Sequence, residues 1–93
     1  MKRELIRSTA FVRALRRYLK RRRQASADLK TTLDLLANDA FDPRLKTHKL
    51  TGDLAEIWAC SAGYDLRILF EFVDHAGTEA ILLLTIGTHD EVY

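Results

Sequence analysis

Apolar and polar positions recur with two different periods along this chain, and the change falls past its middle. Lys2–Arg7 carries two adjacent apolar residues, Leu5 and Ile6, between charges and predicts a short first strand. Ser8 or Thr9 then offers a helix cap. Phe11, Leu15, Tyr18 and Leu19, with Val12 beside them, follow at helical spacing and define one broad apolar face, with arginines over the rest. A second helix is predicted from near Ser26, with Leu29, Leu33 and Leu36 as its stripe, Ala25 and Ala37 at its ends, and Asp28 and Lys30 in its first turns. Asn38–Pro43 stops it, because Asn and Asp favour turns and Pro43 biases Asp42 away from helical geometry. The two helices form a hairpin.

From Leu54 the period shortens. Ile57 and Ala59 alternate with Glu56 and Trp58, and Ser61–Asp65, which contains Gly63, reads as a turn. Leu66–Val73 is the clearest strand, with Ile68, Phe70 and Phe72 facing one way and Arg67, Leu69 and Glu71 the other. Asp74–Gly77 is a second turn. Glu79–Ile86 is nearly continuous apolar sequence, as expected of a central strand covered on both faces, and Gly87–Tyr93 leaves the sheet edge. The expected architecture is α+β: a short N-terminal strand and a two-helix hairpin packed on a small, mainly antiparallel sheet, in the order β-α-α-β-β-β.

Composition narrows the class. The 93 residues suit one domain over 1–93, with 47% apolar residues to build a core. One cysteine, Cys60, excludes an internal disulfide framework, and its place on a predicted strand reads as core rather than nucleophile. The longest wholly apolar run, Ala80–Leu84, is too short to span a bilayer, and charges interrupt the N-terminal segment too often for a signal peptide, so no membrane partner and a cytoplasmic location are expected.

The net charge of +2 conceals an asymmetry: residues 1–30 hold 11 Lys and Arg against 2 acids, and residues 31–93 hold 4 against 11. The densest block is Arg13, Arg16, Arg17, Lys20, Arg21, Arg22 and Arg23. It reads as a patch for a polyanion or an acidic protein, or as a solvated helix face whose last turn favours cations. Lys46 and Lys49, on either side of His48, join the block as candidate RNA contacts.

Three histidines are present. His75 falls in a predicted turn and calls for no role, whereas His48 stands at the entry to the sheet and His89 at the exit of its last strand. Two imidazoles facing one phosphodiester suit RNA cleavage, one removing the ribose 2′-OH proton and the other protonating the departing 5′-oxygen. Arg67 is placed to stabilise charge gained at phosphorus. Asp65, on the same face, would orient a histidine or share its proton, and Tyr93 would stack on a base or position a phosphate. The competing reading is two surface histidines, a turn aspartate and a terminal tyrosine. Trp58 serves equally as packing anchor or stacking platform, and no metal-ligand spacing is present, so no cofactor is expected.

His48-Lys49-Leu50-Thr51-Gly52, Trp58, Tyr64-Asp65-Leu66-Arg67-Ile68-Leu69-Phe70 and the closing Ile86-Gly87-Thr88-His89-Asp90-Glu91-Val92-Tyr93 together resemble the RelE/YafQ group of bacterial toxins, the toxin members of type II toxin–antitoxin pairs. The resemblance implies a RelE-like fold and a ribosome-dependent endoribonuclease that cuts mRNA in the ribosomal A site without a metal. The implied partners are the ribosome with its RNA, mRNA, a cognate antitoxin and, through the antitoxin, operator DNA. It carries His48, Asp65, Arg67, His89 and Tyr93 over as site residues, with either histidine as base or acid, or Asp65 as base. The chain departs from the YafQ pattern at Ala59 and Ser61, where that group has an acid and a histidine. A gyrase-directed toxin of the ParE kind shares the fold, but that group generally lacks the His48–His89 pair. A catalytically inactive partner- or DNA-binding domain on the same scaffold is the other alternative.

Overall fold

Ser8 begins the folded architecture. Its hydroxyl accepts from the Phe11 amide at 3.0 Å, a helix N-cap, and donates to Leu84 O at 3.3 Å, while its own amide donates to Leu83 O at 3.2 Å. One residue thus starts a helix and fastens it to a strand 76 positions away. The computed structural model describes residues 2–54, 56–63 and 65–93. Its elements are β1 (Leu5–Arg7), α1 (Thr9–Arg21), α2 (Ser26–Asn38), β2 (His48–Lys49), β3 (Trp58–Ala62), β4 (Leu66–His75), β5 (Thr78–Thr88) and α3 (His89–Val92). The strands form one five-stranded sheet in the order β1-β5-β4-β3-β2, with β1 parallel to β5 and the other pairs antiparallel. This is the α+β arrangement expected, with one strand and one helical turn more. No helix among the described residues is long and apolar enough to cross a membrane.

The helices cover one face of the sheet. Phe11 from α1 and Leu29 and Leu36 from α2 join Cys60, Ala62, Leu66, Ile68, Phe70, Ile81, Leu83 and Ile86 in one buried cluster. By register these strand residues share a face: Cys60, Ile68 and Ile86 lie in one row, and Phe70 and Leu83 in another. Leu83 and Ile86 are three apart, which an unbroken two-residue period forbids. The pairing shifts between Leu69–Thr85 and Phe70–Leu83, so Leu84 is an extra, bulged residue, and its carbonyl is the one Ser8 takes. Burial pushes the Cys60 thiol up to about 12, in keeping with a core role.

Several boundaries differ from the sequence reading. The first strand starts at Leu5 rather than Lys2, because the Arg3 amide is spent on Ala37 O at the end of α2. β2 was not expected; it is a two-residue edge strand in which His48 opposes Ala59 and Lys49 opposes Trp58. Ser61 and Ala62 are strand, not turn, since they still pair with Arg67 and Leu66; Tyr64, within the expected turn, lies outside the described residues. β4 runs on to His75, because the hairpin turn needs only Ala76 and Gly77. Gly87 and Thr88 still belong to β5, and the chain then makes α3 instead of simply leaving the sheet. Trp58 meets Phe41 and Phe72 edge-on at 5.5 Å, which makes it a packing anchor.

The β4–β5 turn has left-handed backbone at both central residues, φ 53° at Ala76 and 80° at Gly77. Glycine accepts that geometry freely and alanine does not. Ala76→Asn is therefore expected to raise stability by about 0.5–1 kcal/mol in urea unfolding, with an unchanged slope. A loss of stability would contradict this turn assignment.

Candidate active site

The sheet face away from the helices carries the predicted chemistry. One row across it is His48–Ala59–Leu69–Thr85, and the next on the same face is Ser61–Arg67–Gly87. Ladder spacing sets the Cα atoms of His48 and Arg67 about 12 Å apart. Ala59 and Ser61 thus lie on the site face between them. Ser61 contributes a hydroxyl 3.5 Å from Leu45 O, and Ala59 nothing titratable.

His48 is exposed, and its Nδ1 lies 3.0 Å from Lys46 O. A carbonyl can only accept, so this bond places a proton on Nδ1, and in the neutral ring the lone pair is then on Nε2. Lys46 presents that carbonyl from a left-handed backbone, φ 51°, that ends the 3₁₀ turn Pro43–Leu45.

His89 opens α3. Thr88 and Glu91 close that single turn as a capping box: the Thr88 amide donates to Glu91 Oε1 at 2.8 Å, and the Glu91 amide to Thr88 Oγ1 at 3.4 Å. The Thr88 amide first, then the Thr88 hydroxyl, Arg22 and Arg21, hold the Glu91 carboxyl below the usual carboxylate range. Asp65 accepts from the His89 backbone amide at 3.3 Å, not from the imidazole, so it fixes where α3 begins. The His89 ring meets Tyr93 with centroids 4.7 Å apart, and its Nδ1 lies 3.4 Å from Asp90 Oδ1. Partial burial pushes the Tyr93 phenol above its ordinary value of 10.0, while the nearby Arg67 guanidinium pulls it down.

The structure therefore gathers Asp65, Arg67, His89 and Tyr93 at one end of β4 and β5, and sets His48 on the edge strand of the same face. His75 is remote, 3.7 Å from Glu4 Oε1 at the other end of β4. Among the described residues, no three His, Cys, Asp or Glu side chains gather where a metal ion could be held.

The basic block flanks this end. Arg13, Arg16, Arg17, Lys20, Arg21 and Arg23 are exposed. Arg22 is half-buried, its guanidinium 4.6 Å from the Tyr18 ring centre, and its Nη1 has no hydrogen-bond partner among the described residues. Arg17 shares a small cleft with Ala14, Tyr18, Thr85, Ile86 and Glu91, so the block reaches α3. Exposed Lys46 and Lys49 supply cations beside His48. Gly87, Thr88 and Glu91 enter the sequence reading only as part of the closing motif and without a role of their own, although Thr88-His89-Asp90-Glu91 has the capping-box spacing.

The Tyr93 environment can be read directly. A difference titration between the protein and Tyr93→Phe should report a phenol with its midpoint above 10.0, and Arg67→Ala should raise that midpoint further. A midpoint below 10.0 would contradict the arrangement.

The same architecture occurs in solved structures. YafQ from Escherichia coli strain BL21(DE3) superposes with a TM-score of 0.78 at 17% identity, over 99% of both chains. YafQ in the E. coli DinJ–YafQ toxin–antitoxin complex gives 0.77 at 18% identity, over 100% of this chain and 99% of that one. A YoeB/ParE toxin from Agrobacterium tumefaciens gives 0.66 at 17% identity, over 92% and 98%. Comparison with curated proteins finds no match. The sequence model of the family described as "Bacterial toxin of type II toxin-antitoxin system, YafQ" matches residues 3–93. With that match over nearly its whole length, the chain belongs to the YafQ family of type II toxin–antitoxin toxins.

Proposed function

We propose that the chain, acting as one domain over residues 1–93, is an endoribonuclease that cuts mRNA in the A site of translating ribosomes. The observation that carries the reading is that two exposed imidazoles border the half of the sheet that holds Arg67, His48 on its edge strand and His89 just past the end of β5, each with Nδ1 beside an acceptor. One Nε2 takes the proton of a ribose 2′-OH as that oxygen bonds to phosphorus. The other imidazole, protonated, gives its proton to the 5′-oxygen as the phosphorus–oxygen bond breaks. Arg67 offsets the charge gained on the non-bridging oxygens, Asp65 holds His89 through its amide, and Tyr93 packs against the bound nucleotide.

The cations support a large RNA partner. Arg13, Arg16, Arg17, Lys20, Arg21, Arg22 and Arg23 on one side, with Lys46 and Lys49 on the other, flank the site with positive charge suited to ribosomal RNA phosphates. E. coli YafQ is solved with DinJ, which supports a cognate antitoxin as this chain's partner. The setting is the bacterial cytoplasm.

Induction in a bacterial host should produce new mRNA 5′ ends within translated regions, mapped by primer extension and reproduced with purified protein only when ribosomes are present. His48→Ala and His89→Ala should each lower cleavage by about 10²–10⁴-fold. Growth arrest with intact mRNA would contradict the reading and point to a gyrase-directed toxin.

A further inference from the structure

α3 is only four residues long, and an isolated helical turn of that length has no stability of its own. Yet it presents His89 from its first residue and leads directly into Tyr93, the two rings in contact at 4.7 Å. Something outside local propensity must hold it. Asp65 holds one backbone atom, the His89 amide. The remaining restraint converges on one side chain, Glu91.

Glu91 is fixed from three directions. Its Oε1 accepts from the Thr88 amide at 2.8 Å, which ties the end of the turn back to its start. Its side chain sits directly over Gly87: a Cβ at that position would come within 3.1 Å of both Glu91 Cβ and Oε1, and 3.3 Å from Val92 Cγ1. Those approaches are tighter than most packed contacts, so a side chain at Gly87 would push Glu91 and Val92 outward by a few tenths of an ångström, and its absence is the space in which α3 lies against β5. From the third side come Arg21 and Arg22 at the end of α1, whose positive field reaches the carboxylate. The carboxylate is exposed and touches neither imidazole, so its effect on the site passes through the placement of the turn.

We propose that Glu91 is the positioning residue of the active site, a clamp that seats α3 on Gly87 and so sets His89 against Tyr93. The inference rests on the preceding reading for its catalytic consequence. Its structural content is independent: the relation of the His89 and Tyr93 rings depends on an acceptor oxygen at position 91 and on the absence of a side chain at position 87. Glutamine at this position of a capping box offers the same acceptor oxygen, so the oxygen rather than the charge is what the turn requires.

Three full-length variants test it: Glu91→Ala, Glu91→Gln and Gly87→Ala. Two readouts are taken, nuclear Overhauser contacts between the His89 and Tyr93 rings in the free protein, and ribosome-dependent cleavage of a defined mRNA. Glu91→Ala and Gly87→Ala should lose the ring contacts and lower kcat by about 100-fold, the scale of a small misplacement of a reacting group. Their KM should change much less than kcat, because every cation of the basic block is retained. Glu91→Gln keeps an acceptor oxygen and should retain the ring contacts and most of the rate. Gly87→Ala also guards against a folding artefact, because it keeps Glu91 and perturbs the same contact from below. Ring contacts intact in Glu91→Ala, or Glu91→Gln as impaired as Glu91→Ala, would overturn the proposal. A wild-type chain that cuts no mRNA would remove the function proposed above, while the ring contacts would still decide whether Glu91 is the clamp.

Discussion

The extra residue in β5 is the constraint on which the rest of the molecule depends. β5 has to supply Ile81, Leu83 and Ile86 to one core, and no unbroken strand can do so. The bulge at Leu84 resolves the conflict by inserting one residue between two in-phase stretches. The Leu84 carbonyl at the bulge accepts from the Ser8 hydroxyl, which also caps α1. Helix start, sheet register and strand phase are therefore set at one place. Downstream, the bulge decides that Ile86 points into the core and Gly87 away from it. With the opposite phase Gly87 would face the helices, and α3 would lose the bare backbone on which it rests.

The division of charge follows the same geometry. α1 gives one face to the core through Phe11, Ala14, Leu15, Tyr18 and Leu19, so its arginines crowd the other. Lys20 and Arg21 in its last turn are favoured by the helix dipole, and Arg22 is held by the Tyr18 ring. A basic surface at that position lies beside the strand end that carries His89, with Glu91 between them. Acids away from the site are partly neutralised within the fold: Asp42 binds Arg44 through both carboxylate oxygens and is lowered to about 2 by that side chain, and Glu79 pairs with Arg3. The positive surface is local, while the chain as a whole stays near neutrality.

Most of the fold was legible in the sequence because its signals are long. Thirteen-residue helices repeat their apolar stripe several times, and Leu66, Ile68, Phe70 and Phe72 keep one face apolar along Leu66–Val73. What escaped was short or depended on partners. β2 has two residues, too few for any period, and exists because Ala59 and Trp58 offer it an edge. The bulge is hidden in a run, Ala80–Leu84, that is apolar on both faces and so carries no phase. Thr32 was not expected in the core; its hydroxyl turns back to Asp28 O at 2.8 Å, which lets a polar residue be buried. Among the candidate site residues, His48 and His89 were singled out by their positions at the entry and exit of the sheet, and Arg67 because it points off the apolar face of its strand. The attachment of Asp65 to a backbone amide rather than a ring could not be, because it depends on how the β3–β4 turn meets α3 in space.

The central claim is that this face performs acid–base cleavage in which the ribose 2′-OH attacks its own phosphodiester. It is tested most directly by supplying programmed ribosomes with an mRNA carrying a single 2′-deoxy nucleotide at the mapped cut. The account predicts that the protein cuts the all-ribose message to leave a 2′,3′-cyclic phosphate and a 5′-hydroxyl, and leaves the deoxy message whole at that position. Cleavage of the deoxy message at the same position would contradict it.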